Sequence, residues 1–243
     1  MDSKTEKALK FINDKIRKHN FDNMIALTSF GKDSLVIMSL IRHEHPDFKF
    51  LWIKPPYLPE SILNLAKELQ TAWNLNLDIE ESKHLKDKSF MENVVEKPNL
   101  PKTNPENCCS IFKVEPMMRY CQEHNVKAWF SGLRSTESEK RRIYTDEWKQ
   151  GEFVKYHPIL DWTEWEIWRY IACHNLPVAK EYCEGYRSLG CKPCSFVGTT
   201  KGAEREGRWA DTALIGLGCG IHCVCPLGNE EEMKKALRES HEV

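Results

Sequence analysis

No run in this sequence approaches the roughly 18 apolar residues that a membrane-spanning helix needs. Residues 1–20 lack the apolar core of a secretory signal, being rich in Lys, Asp and Glu. Neither sign of charge is in excess: 35 Lys and Arg face 36 Asp and Glu, so any polyanionic partner must be met by a local basic patch. Internal repeats and low-complexity tracts are absent, which excludes solenoid and fibrous architectures. The Walker spacing of a P-loop is missing too. These absences point to a soluble cytoplasmic chain. Its 243 residues allow one generous domain and a tail, read here as 1–200 and 201–243.

Ten cysteines stand out against that background. With no sign of secretion, clustered cysteines suggest metal or redox chemistry more than disulfides. They group as Cys108-Cys109, Cys191-x-x-Cys194 and Cys219 followed by Cys223-x-Cys225. Cys121, Cys173 and Cys183 stand apart and are expected to be small buried hydrophobes.

Hydrophobic periodicity gives the frame. A capping box at Ser3 and Glu6 opens a helix with Ala8, Leu9, Ile12 and Ile16 on one face. Short apolar runs at 24–28, 48–53, 75–79 and 126–131 read as strands. Helical stretches at 35–41, 60–73 and 113–124 lie between them, the last bent near Pro116. Alternating strands and helices predict a doubly wound, mostly parallel α/β sheet. Residues 83–107 are polar and aperiodic and read as a loop or lid. Thr163 and Glu166 cap a further helix whose inward stripe is expected to be Trp165, Trp168 and Ile171.

Three groups of residues carry candidate chemistry. Ser29-Phe30-Gly31-Lys32-Asp33-Ser34 joins the first strand to its helix, where backbone N–H groups face outward and an anion can sit. The pairs 108/109 and 191/194 supply four thiolates, a set suited to an iron–sulfur cluster or to zinc. Arginines cluster at Arg134, Arg141 and Arg142 and again at Arg205 and Arg208, a side chain suited to bidentate contact with phosphate or sulfate.

These segments, in this order, resemble the sulfonucleotide reductase family of PP-loop proteins. The matching pieces are the S-F-G-K-D-S loop, Cys108-Cys109 with Lys113, residues 132–142, His157-Pro-Ile-Leu-Asp-Trp-Thr, residues 185–194, Arg205-x-x-Arg208-Trp209 and Cys219-Gly220-Ile221-His222. The resemblance implies an adenine nucleotide alpha hydrolase-like fold with a mobile cysteine-rich tail. The paired cysteines match its cluster-bearing branch, which implies a [4Fe–4S] cluster on Cys108, Cys109, Cys191 and Cys194. It implies reduction of adenylyl sulfate, or of phosphoadenylyl sulfate, in sulfate assimilation. Cys219 would attack sulfur with His222 beside it, and thioredoxin or a similar dithiol would resolve the cysteine S-sulfonate. Substrate contacts are then expected from residues 29–34, Lys113, Arg134, Arg142, Arg205 and Arg208, with Arg141 a spectator. A homo-oligomer is also implied.

Three features depart from the family pattern. Lys54-Pro55-Pro56-Tyr57-Leu58-Pro59 replaces an Asp/Asn-Thr-Gly turn, and Lys54 is expected to meet an extra phosphate. Gly216-Leu217-Gly218 replaces Lys-Thr-Glu before Cys219. Cys223 and Cys225 follow directly, outside the usual pattern. The departures at 54–59 and 216–218 keep a second reading open: a PP-loop ATP pyrophosphatase activating a nucleic acid for sulfur insertion.

Overall fold

A computed structural model describes residues 2–19, 23–199 and 202–210. The first helix, α1 (Ser3–His19), turns Ala8, Leu9, Ile12 and Ile16 inward as its periodicity requires. Its cap is Asp2, whose carboxylate accepts the Thr5 N–H at 2.9 Å.

Six strands form one sheet: β1 (Met24–Thr28), β2 (Phe50–Ile53), β3 (Leu77–Glu80), β4 (Ala128–Phe130), β5 (Glu147–Gln150) and β6 (Phe153–Tyr156). Their order is β3-β2-β1-β4-β6-β5. All neighbours run parallel except β5 and β6, an antiparallel hairpin that the sequence reading missed because Glu147-Trp-Lys-Gln has no apolar run. The helix α2 (Lys32–Glu44) carries the chain from β1 to β2, and α3 (Glu60–Ala72) carries it from β2 to β3.

The central strands β1, β2 and β4 are buried from end to end because both of their faces are covered. Met24, Ala26, Phe50, Trp52, Ala128 and Phe130 pack toward α1, α2 and α3. The alternate residues Ile25, Leu27, Leu51, Ile53 and Trp129 pack toward Met117, Tyr120 and Cys121 of the helix Glu115–Glu123. One face of the sheet therefore rests on the α1–α3 layer and the other on the segment that follows the paired cysteines.

Three expectations need correction. Residues 83–107 are not a plain loop but a chain of short helical turns, ending in Pro105–Cys109, with a buried cluster of Val95, Leu100, Cys108 and Phe112. Trp165 is 66% exposed, while Ile167, Tyr170 and Ile171 form the inward face of its helix, Glu164–Cys173. Among the isolated cysteines Cys121 is buried, but Cys173 and Cys183 are exposed.

The topology fixes where a ligand can bind. From β1 the chain moves outward to β2 and β3; β4 then lies on the opposite side of β1. At such a switch point the loops leaving adjacent strands diverge and open a crevice beyond the carboxyl ends. The loops leaving β1 and β4 are residues 29–31 and 131–134. The β4 loop abuts the first turn of α2: a Cβ on Gly132 would meet the Asp33 carbonyl carbon at 2.8 Å, the Asp33 oxygen at 2.9 Å and the Ser34 nitrogen at 3.0 Å. Backbone cannot yield as a flexible side chain does. Gly132→Ala should therefore displace the start of α2, lower Tm by several degrees and abolish measurable nucleotide binding; calorimetric titration and thermal melts check both.

Candidate active site

The phosphate loop is tightly held. Phe30 adopts a left-handed backbone, φ 55°, unusual for a bulky side chain. It is retained because the ring is fully buried and packs edge-on against Trp52, with centroids 4.9 Å apart. Gly31 caps α2 without a side chain, so it leaves the first-turn N–H groups no side-chain acceptor of its own. The Ser34 hydroxyl donates to the Gly31 carbonyl at 2.9 Å and accepts the Ser29 N–H at 3.2 Å, closing the loop on itself. The Lys32 N–H donates to the Tyr182 hydroxyl at 3.0 Å.

Beneath the loop lies a buried charge network. The Lys32 ammonium donates to Glu204 at 2.6 Å, the Arg187 carbonyl at 2.9 Å and Asp33 at 3.2 Å, which uses all three of its protons. Arg134 donates to Asp33 at 2.7 Å and also to Glu204, Thr136 and the Trp162 carbonyl. Burial opposes both charges, but Asp33 and Glu204 outweigh it at Lys32, and Asp33, Glu137 and Glu204 outweigh it at Arg134. Both pKa values are raised and both groups stay ionised. Glu137 faces Arg141 at 2.8 Å and Arg205 at 3.3 Å and accepts the Arg134 backbone N–H at 3.0 Å. Burial works against the Glu137 carboxylate, but Arg141, Arg205 and Arg134 hold its pKa low.

Above this network opens a cleft of about 1120 Å³, its mouth included. Ser29, Gly31, Asp33 and Ser34 line it from β1, Ser131, Gly132, Glu137 and Arg141 from the β4 side, and Arg205 and Arg208 from the C-terminal segment. That segment is clasped to the Cys-x-x-Cys stretch: Phe196 N–H donates to Gly207, and Trp209 N–H donates to Cys194 at 3.1 Å. A Cβ on Gly207 would collide with the Phe196 carbonyl, so only glycine fits the R-x-G-R-W sequence there.

A second, smaller cavity of about 310 Å³ adjoins the cleft, and Cys108, Cys109, Cys191 and Cys194 all line it. Adjacent cysteines share this cavity because they sit on a helical turn, Pro105–Cys109, where neighbours lie about 100° apart. A wider π turn, Ser110–Val114, follows and carries Lys113. Lys113, Pro55 and Cys191 line both chambers. Burial first, then Cys109 and Cys191, pushes the Cys108 thiol up to about 12. Cys194 is raised by burial and Cys191 and pulled back by Arg208 and Lys113. The thiols therefore sense one another, and Lys113 acts on both pairs. Among the described residues no three His, Cys, Asp or Glu side chains close on a single ion. The four cysteines instead line one cavity, a donor set that fits a cluster bound through thiolates.

The model of the phosphoadenosine phosphosulfate reductase domain matches residues 23–197. The chain belongs to that family. It is 31% identical over 210 residues to an adenosine 5'-phosphosulfate reductase of Salinibacter ruber, covering 84% of this chain and 80% of the relative. Likeness to the enzyme of that name from Anoxybacillus flavithermus is also 31%, over 215 residues, covering 84% and 85%. Among solved structures, a phosphoadenylyl-sulfate reductase from Candida auris superposes with TM-score 0.66 at 19% identity, covering 76% of this chain and 88% of that one. An FMN adenylyltransferase from Candida glabrata reaches 0.61 at 15% identity, covering 97% and 82%, which reflects a shared fold alone.

In this reductase-family chain the expected substrate residues divide. Ser29, Gly31, Asp33, Ser34, Lys113, Arg205 and Arg208 line the cleft. Phe30, Lys32 and Arg134 do not: Phe30 is core, and the other two spend their donors on the network below. The choice between the paired arginines is reversed, since Arg141 is buried at the cleft and Arg142 is 72% exposed beside Glu139. Lys54, expected to meet an extra phosphate, pairs with Glu81 at 2.8 Å. Cys219, His222, Cys223 and Cys225 lie outside the described residues, as do residues 216–218. Glu137, Glu204, Tyr182 and Ser131 were not picked from the sequence. A carboxylate set among arginines was the signal for the two glutamates; Tyr182 and Ser131 had none.

Glu137→Gln would leave buried cations facing a neutral amide and should cost about 3–5 kcal/mol of stability. The pH sign follows from the lowered pKa. Glu137 contributes its stability above the ordinary carboxylate range, near 4.3, and loses it as pH falls through the lower folded value. Denaturant melts from pH 7 to pH 3 should accordingly fall less steeply in the Gln variant than in the unsubstituted chain.

Proposed function

We propose that this chain reduces adenylyl sulfate to sulfite and AMP in sulfate assimilation, with a [4Fe–4S] cluster on Cys108, Cys109, Cys191 and Cys194. The observation that carries the reading is the shared wall. Lys113 and Cys191 border both the anion cleft and the four-thiol chamber. The relatives named as adenosine 5'-phosphosulfate reductases support the substrate.

The nucleotide would lie across the switch point, its phosphate at residues 29–34 and its sulfate toward Arg141, Arg205, Arg208 and Lys113. Glu137 keeps Arg141 and Arg205 from turning away. A bound cluster supplies fixed negative charge on the far side of Lys113, which holds that ammonium between two anions. The Cys219 thiolate would attack the sulfate sulfur. The bond from sulfur to the bridging oxygen breaks, AMP leaves with that oxygen, and a cysteine S-sulfonate remains. One thiol of a dithiol such as thioredoxin then attacks the Cys219 sulfur. Sulfite leaves with the bonding pair, and the second thiol closes a disulfide that regenerates Cys219. The dithiol is oxidised by two electrons and the sulfur is reduced by two.

Reach is adequate. Trp209 is buried against Cys191 and Cys194, and nine residues lead from Ala210 to Cys219. Nine extended residues span roughly 30 Å. Selectivity for the nucleotide without a 3'-phosphate is supported by the segment at 54–59. It offers Pro55 and Leu58 to the cleft, and its one cation is engaged with Glu81.

Incubating the cluster-loaded chain with adenylyl sulfate and no reductant should add the mass of one SO₃ group at Cys219. Pyrophosphate release from ATP without an adduct would instead support the pyrophosphatase reading. Lys113→Ala should slow adduct formation about 100-fold or more while the cluster absorbance persists.

A further inference from the structure

His157 opens the one family-like segment to which no function has yet fallen. It directly follows β6, and its ring is fully buried. Its Nδ1 lies 2.9 Å from the hydroxyl oxygen of Ser131, the first residue beyond β4. The backbone makes this pairing rigid: Ser131 N–H donates to the Tyr156 carbonyl at 3.0 Å, and His157 N–H donates to the Asp146 carbonyl at 2.9 Å. Ser131 is among the residues lining the anion cleft; His157 is not. The other ring nitrogen, Nε2, is buried and has no hydrogen-bond partner among the described residues.

The ring is neutral. Burial, then Lys155 and Arg141, pushes its pKa down to about 3. A neutral ring carries one proton, and the ligand of the cleft decides for Nδ1. The cleft has to receive an anion. If Nδ1 were the acceptor, the hydroxyl proton of Ser131 would point at the ring, and only oxygen lone pairs would face the ligand.

We propose that His157 is a positioning residue for the anion cleft: its Nδ1–H donates to Ser131 Oγ and so turns the Ser131 hydroxyl proton toward the bound nucleotide. Ser131 is then a fixed donor to a phosphate or sulfate oxygen, supplied by the β4 loop beside the residues of the 29–34 loop. The inference rests on the function proposed above and adds a named contact to it. It also explains how a buried nitrogen can remain unpaired: satisfying Nε2 with an acceptor would move the proton away from Nδ1 and reverse the serine.

The test is a double-substitution cycle read by calorimetric titration with adenylyl sulfate, in a Cys219→Ser background so that no sulfur transfer consumes the ligand. Ser131→Ala and His157→Leu should each weaken binding about tenfold, the scale of one hydrogen bond to a charged group. The combined variant should bind no worse than Ser131→Ala alone. His157→Asn, whose amide nitrogen falls near the position of Nδ1, should restore most of the affinity; His157→Gln, whose amide falls near Nε2, should not. The Asn and Gln pair also settles the matter if His157→Leu does not fold. Losses that multiply in the combined variant, or equal binding by Asn and Gln, would overturn the proposal while leaving the function intact. Failure of the Cys219→Ser chain itself to bind adenylyl sulfate would overturn the functional reading, and this inference with it.

Discussion

The site depends on carboxylates that hold cations in place under a loop. Glu204 reaches from the C-terminal segment to both Lys32 and Arg134, Asp33 bridges the same two, and Glu137 ties Arg134 to Arg141 and Arg205. All of these charges are buried except Asp33, which borders the cleft, so the buried ones are not tolerable without their partners. The consequence is that the phosphate loop, the β4 loop and the R-x-G-R-W segment cannot be positioned separately. Folding the network assembles a concave surface in which the cations Lys113, Arg141, Arg205 and Arg208 line the cleft.

This arrangement separates two jobs that look identical in a sequence. Arg134 and Lys32 are buried and fully engaged, whereas Arg205 and Arg208 are buried and border the cleft. The positive lining of the cleft therefore comes from the second pair together with Arg141 and Lys113, and rigidity comes from the first. Both Phe30 and Trp209 take left-handed backbone conformations, φ 55° and 58°, at the two ends of this assembly. Strain of this kind persists only where packing over-determines it. Phe30 is locked against Trp52, and Trp209 against the Cys191 and Cys194 pair.

Much of the fold was legible because the central strands β1, β2 and β4 are buried on both faces and read as apolar runs. The β5–β6 hairpin was not, since an edge strand such as Glu147-Trp-Lys-Gln carries polar residues. The helical turns between 83 and 109 were hidden because each is too short to show a period, and their stability comes from packing under Tyr57 and Phe112. At the site, the loop at 29–34 and the four thiols announced themselves by residue type and spacing. The roles within the arginine pair at 141 and 142 did not. Which of two neighbours points inward depends on the short turn Glu139–Arg141, which ends on the first of them, a matter of one residue's rotation. Lys54 showed the same limit: charge was visible in the sequence, but its partner Glu81, 27 residues away, was not.

Around the four thiols stand four prolines: Pro55, Pro56, Pro101 and Pro105. A proline ring fixes its own φ and narrows the choices of the residue before it. The walls of that chamber have few conformations to surrender, whatever enters. Ordering that many metal sites must carry out at the moment of loading is here completed when the chain folds. Such a chamber presents the same walls to any occupant.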